Sequence, residues 1–149
     1  MRYSLDANIL FYAFETGTEQ SRSANRILAS SLTADCVLTN RAIGEFLNAV
    51  RRKRPDRVDD SRQVAESWSL VFPVAGTSTG QLIRASALAQ RHRLQFWDSV
   101  ILVVAGEAGA EFLLSEDMQD GALINGVRLL DPFLQSNAEA VNLLLTPSP

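Results

Sequence analysis

Arg2-Tyr3-Ser4-Leu5-Asp6-Ala7-Asn8-Ile9-Leu10 reads as a short strand, an aspartate at its carboxyl end, and the start of a helix. The strand is Arg2 to Leu5. From Ala7 to Phe14 the side chains of Ile9, Leu10, Tyr12, Ala13 and Phe14 cluster as they do in a short buried helix. Further strands and helices follow downstream. Asp35-Cys36-Val37-Leu38 is a second strand, and Thr39 or Asn40 then caps a helix that runs to about Lys53. Its apolar stripe is Ile43, Phe46, Leu47 and Val50. Glu111-Phe112-Leu113-Leu114 is a strand entering the loop Ser115-Glu116-Asp117, and Val127 to Leu130 is the last strand.

Between these units lie helices over Ser21–Ser31 and from about Asp56 to Leu70. Val71-Phe72-Pro73-Val74 is a strand, confined to an edge because proline cannot donate to a ladder. Thr77 or Ser78 caps a helix ending near His92. Trp97-Asp98 opens a nearly continuous apolar helix, Ser99 to Ala108, which Gly109 terminates. A last helix follows Asp131-Pro132, since proline suits a first helical turn. Strands alternating with helices predict an α/β sandwich, a central and largely parallel sheet flanked by helices. One domain over residues 1–145 and a disordered tail over 146–149 complete the expectation.

The chain has 149 residues and a net charge of −3, so its average field does not draw in nucleic acid. A nucleic-acid enzyme of this charge needs cations in an acidic pocket or a concentrated basic patch. Cys36 is the one cysteine and is read as a buried free thiol. No signal peptide and no membrane span is expected, because no apolar run approaches ~20 residues. A reducing, cytoplasmic setting follows as an expectation.

Three acids occupy telling positions: Asp6 after the first strand, Asp117 after the fourth, Asp98 at the start of a helix. In open α/β sheets, ligands bind beyond the carboxyl ends of the strands. Glu45 lies about one turn into the helix after the second strand and can face the same edge. Four converging carboxylates would repel, and divalent cations resolve the conflict. Mg²⁺ and Mn²⁺ favour such oxygen ligands. With one histidine and one cysteine, a zinc site is not expected. Taken singly, an aspartate after a strand is as readily a turn former or helix cap.

Two other α/β families place an aspartate after the first strand, the phosphoaspartate receivers and the haloacid-dehalogenase phosphatases. Both use a late lysine, and the single lysine here is Lys53, inside a basic run. No glycine-rich phosphate loop follows the first strand, which disfavours a dinucleotide or P-loop protein.

Four segments together resemble the PIN domains. They are Tyr3 to Leu10 around Asp6, Asn40 to Phe46 around Glu45, Phe96 to Ile101 around Asp98, and Leu114 to Gly121 around Asp117. The likeness spans residues 2 to about 133, in order, and is nearest to the toxin ribonucleases of bacterial VapBC pairs, type II toxin–antitoxin systems. Asn40 and Ser99 stand where such proteins often carry Gln and Ala. The resemblance implies a PIN-like three-layer sandwich and a metal-dependent endoribonuclease with one or two Mg²⁺ or Mn²⁺ ions on Asp6, Glu45, Asp98 and Asp117. It also implies an RNA substrate, an antitoxin partner whose segment lies in an apolar groove, and a homodimer. Ile9, Leu10, Phe11, Phe14 and the 21–31 helix could supply that groove, or belong to the core. The alternative is a PIN-fold interaction module that does not cut.

The supporting residues each carry two readings. Asn8 orients Asp6 or caps the first helix, and Ser115 bonds Asp117 or merely forms a turn. Glu116 and Asp120 compete with Asp117 for the fourth ligand, with Asp117 favoured and Asp120 assisting it. Arg51, Arg52, Lys53 and Arg54 are the candidate phosphate contacts, or else a solvated helix end. Arg52 is seven residues after Glu45, about 10 Å along a helix and nearly the same face, while Arg51 and Arg54 point elsewhere. Phe96 and Trp97 either stack a base or anchor the core, and the core is favoured.

Overall fold

The computed structural model describes residues 1–147, so only the first half of the expected tail can be compared with it. β1 (Tyr3–Leu5), β4 (Phe112–Leu114) and β6 (Val127–Leu130) form a parallel ladder, with β1 on β4 and β4 on β6. β5 (Leu123–Ile124) closes one edge antiparallel to β6, giving the order β1-β4-β6-β5. On the other side, β2 (Leu38–Thr39) pairs in parallel with β3 (Val74–Ala75). A parallel bridge between Tyr3 and Cys36 ties that pair to β1. The sheet is therefore largely parallel, and all its parallel strands aim their carboxyl ends at one edge.

Seven α-helices among the described residues flank it, as the three-layer expectation requires: α1 (Ala7–Phe14), α2 (Glu19–Ser31), α3 (Asn40–Lys53), α4 (Val58–Val71), α5 (Thr79–His92), α6 (Phe96–Glu107) and α7 (Ala138–Leu144). Tyr3, Leu5, Leu113, Leu114 and Leu129 are fully buried in the sheet. From Ser99 to Ala105 every residue of α6 is buried, which explains its continuous apolar sequence. A helix apolar all round must be enclosed. No helix among the described residues is long and apolar enough to cross a membrane.

Local chemistry sets the helix ends. Thr39 caps α3 by accepting from Ala42 N at 3.1 Å, and Ser78 with Gln81 makes a reciprocal capping box on α5. α2 begins earlier than expected because Thr18 caps it through Ser21 N. Gly109, at φ +94°, turns the chain out of α6.

Three expectations are corrected. Val71 completes α4 and Phe72 is buried beneath it, so the strand shrinks to Val74–Ala75. A 3₁₀ turn over Pro55–Arg57 delays α4 until Val58. Asp131 accepts from Phe133 N at 2.9 Å, and this turn displaces the last helix from Pro132 to Ala138.

Candidate nuclease site

The carboxyl end of β1 delivers Asp6 into the interior, where it is 4% exposed. Both its oxygens are engaged. Oδ1 accepts from Ala7 N at 2.7 Å, so Asp6 and not Asn8 caps α1. Oδ2 accepts from Ser115 Oγ at 2.7 Å. Burial raises the Asp6 pKa from 3.8 to about 6, against the lowering effect of these bonds, and the charges of Asp98 and Glu45 push the same way.

Ser115, at the carboxyl end of β4, is the joint of this corner. Its hydroxyl donates to Asp6 and accepts from Asp117 N at 3.2 Å and from Asn8 Nδ2 at 3.4 Å. Asn8 also accepts from Glu116 N at 3.4 Å. Two adjacent strand ends are thus stitched together by one hydroxyl and one amide, which is more than either turn formation or helix capping would need.

The other two acids come from helices. Asp98 lies in the first turn of α6, and its pKa is raised by burial first, then by Glu45 and Asp117, with Arg41 opposing. Asp98 thus feels Glu45 and Asp117, and Asp6 feels Asp98 and Glu45. Glu45 is held by Arg41 one turn earlier on α3, with Nη2 and Nε of Arg41 at 2.8 and 3.0 Å from Oε1. The Arg41 guanidinium also lies over the Trp97 ring, its Cζ 3.8 Å from the centroid. As they stand, no three Asp, Glu, His or Cys side chains among the described residues are gathered closely enough to hold an ion. Glu45 would have to turn from Arg41 toward the other acids.

Glu45 and Asp117 line a cleft of about 450 Å³ with Asn8, Tyr12, Arg52 and Lys53. The basic run therefore divides. Arg52 and Lys53 reach the cleft, while Arg54 is bound to Glu15 at 2.9 Å and to Asp56 at 3.5 Å. Arg51 is exposed and outside the cleft lining. Asp120 is also drawn elsewhere, one oxygen accepting from Asp131 N at 2.9 Å and from Asn137 Nδ2 at 2.7 Å. The Glu116 carboxylate beside the Tyr12 phenol pushes that pKa up to about 12, with burial adding.

Of the groove residues, Ile9, Leu10 and Phe14 belong to the core, and only Phe11 among those four is partly accessible. Sequence reasoning favoured Trp97 as a core anchor, but it is 45% exposed. It also passed over Arg41, although its i,i+4 spacing from Glu45 on a helix was a readable signal.

The donor set suits a hard divalent cation: four carboxylates, no soft ligand, and two acids whose pKa values are raised by burial first and by neighbouring carboxylates second. The acidic pocket lies at the carboxyl edge of a mostly parallel sheet, where open α/β sheets bind their ligands. Residues 3–119 match the PIN domain family, and the chain belongs to it. PIN nucleases generally use divalent metal ions. No curated protein matches the sequence.

Solved structures share the fold at low identity. A toxin–antitoxin complex from Klebsiella pneumoniae is 22% identical with a TM-score of 0.66, over 88% of this chain and 98% of that one. VapC20 of Mycobacterium tuberculosis, described as a sarcin-ricin loop cleaving toxin, is 18% identical with a TM-score of 0.65, over 77% and 89%. DNA-bound VapBC from Salmonella typhimurium is 17% identical with a TM-score of 0.63, over 88% and 98%.

Proposed function

We propose that this protein is a metal-dependent endoribonuclease, the toxin of a toxin–antitoxin pair. The observation that carries the reading is the joining of Asp6 to the Asp117 loop through the Ser115 hydroxyl, with Asp117 and Glu45 lining one cleft. Asp6, Glu45, Asp98 and Asp117 would hold one or two Mg²⁺ or Mn²⁺ ions, which supply an activated water and offset charge on the scissile phosphate. Asp117 is preferred over Glu116 and Asp120 because it lines the cleft with Glu45 and raises the Asp98 pKa. Asp120 keeps at most a supporting role through its loop.

Ser115 and Asn8 fix Asp6 and the Asp117 loop at a common distance, so that these ligands need little reordering. Arg41 neutralises Glu45 while no cation is bound and is left close to the incoming phosphate once Glu45 turns away. Arg52 and Lys53 contact phosphates of the strand leaving the cleft. Arg54 is assigned to the fold instead.

The partner proposed is an antitoxin, since neighbours in fold are described as toxin–antitoxin complexes, and the protein is proposed to act as a homodimer in the cytoplasm. A monomer by light scattering at high concentration would count against the dimer. Purified protein should cleave RNA with Mg²⁺ or Mn²⁺ and lose the activity by at least a hundredfold on Asp98→Asn, with its melting transition retained. Full activity in Asp98→Asn would remove that residue from the site. Absence of any Mn²⁺ site would favour the non-cutting interaction module.

A further inference from the structure

Beside the acidic corner, a shallow cleft of about 310 Å³ opens between the start of α3, the loop before α5 and the start of α6. We propose that it is a nucleobase subsite, stacking one base of the RNA strand against the Trp97–Arg41 pair and meeting the base edge with the Asn40 amide. The subsite rests on the nuclease reading, and it goes further in naming what the chain reads besides phosphate.

Arg41 lies over the Trp97 ring, pairs with Glu45 and lines both clefts, so a base on this ring would sit one side chain away from the acidic cleft. Its neighbour Phe96 packs against a buried cluster containing Val100, whereas Trp97 leaves a large aromatic surface in water. Such surfaces serve sequence-tolerant stacking of bases. The platform is already assembled in the metal-free protein. Arg41 is anchored at one end by Glu45 and lies over the indole, and Phe96 meets that ring edge-on with centroids 4.7 Å apart.

The edge of the cleft is polar. Thr77 Oγ1 donates to Asn40 Oδ1 at 2.7 Å, which sets the amide orientation. Asn40 Nδ2 has no protein partner among the described residues, so it remains to donate to an acceptor on a base. Gly44 completes the opening. It sits inside α3, where glycine weakens a helix, and a Cβ built there meets no atom within 4 Å. The space above it is therefore not required by packing.

The test uses Trp97 as its own probe. Trp68→Phe removes the buried second tryptophan and leaves Trp97 to report alone. The titrants are 2′-O-methyl hexanucleotides of A, C or U in Mg²⁺, their integrity checked by gel. Saturable quenching of the emission is expected, unequal among the three bases. In the otherwise wild-type chain, Trp97→Ala and Gly44→Leu should each weaken binding of the same oligonucleotides about tenfold. Gly44→Leu should melt no lower than wild type. Wild-type affinity in both variants with unchanged emission at saturation would overturn the subsite and leave the ring to a protein surface. If that result came with normal RNA cleavage, only the subsite would fall. Neither binding nor cleavage in the wild type would overturn the nuclease reading along with it.

Discussion

The two halves of the proposed site, the Asp6 corner and the Glu45 flank, are built in opposite ways. Asp6 is buried, has both oxygens occupied, and is joined through Ser115 to the Asp117 loop. Glu45 sits half-buried on a helix face, held by a single arginine that is itself laid over an exposed tryptophan. Backbone hydrogen bonds between β1 and β4 fix the first half, with Asp6 N bonded to Leu114 O at 2.9 Å. Side chains alone fix the second. A site assembled this way keeps a rigid anchor and one adjustable wall, which suits ligands that arrive and leave.

The sharpest way to break this contrast is through pH. In the metal-free protein the folded pKa of Asp6, about 6, lies above its ordinary 3.8. The folded state therefore holds the proton more tightly than the unfolded chain. Asp6 contributes fully to stability below about pH 4, and that contribution is lost as pH rises toward about 6. A shift of this size corresponds to roughly 3 kcal/mol. Chemical denaturation of the metal-free protein between pH 4 and 7 should show this decline, and Asp6→Asn should flatten it. An equal slope in Asp6→Asn would mean that the anchor is not strained.

The joint of the rigid half comes next in size. Ser115→Ala should lower Mn²⁺ affinity by about ten- to a hundredfold, as loss of a partner that orients a ligand usually does. Affinity within twofold of wild type would make Ser115 a turn residue only. On the adjustable side, Arg41→Ala should raise Mn²⁺ affinity a few-fold by freeing Glu45, while reducing RNA binding. A fall in Mn²⁺ affinity would show that Arg41 positions Glu45 instead of competing for it.

The smallest effects separate the basic run. Arg52→Glu should weaken RNA binding and flatten its salt slope by roughly one unit, with little change in melting. Arg54→Glu should leave the salt slope alone and lower the melting temperature slightly, since it breaks a partly exposed pair with Glu15. The reverse pattern would exchange the two roles.

Most of the rigid half was legible in the sequence. An aspartate at the end of an apolar run cannot avoid the carboxyl edge of a parallel sheet, and Asp6 and Asp117 were placed by that rule. The α3 stripe likewise brought Glu45 and Arg52 to one cleft. What was missed depends on partners distant in sequence. Asp120 faces Asn137, and Arg54 faces Glu15, in ways no local pattern encodes. Trp97 is exposed in the first turn of α6, before the buried stretch from Ser99 to Ala105 begins. The β5–β6 hairpin was different, because its signal was present. Asn125 and Gly126 take φ values of 53° and 78°, the two positive values that an Asn-Gly turn of the primed type provides. Leu123-Ile124 was too short to stand out as a strand beside it.

The central claim, that the four carboxylates form one cation site which cuts RNA, is most directly tested by calorimetric titration with Mn²⁺. The same samples would then be assayed for RNA cleavage. The wild type should bind one or two ions and cleave. Glu45→Gln should bind Mn²⁺ at least tenfold more weakly and lose cleavage, with its melting transition retained. A wild type that binds no Mn²⁺, or a Glu45→Gln variant that binds and cleaves as the wild type does, would contradict the account.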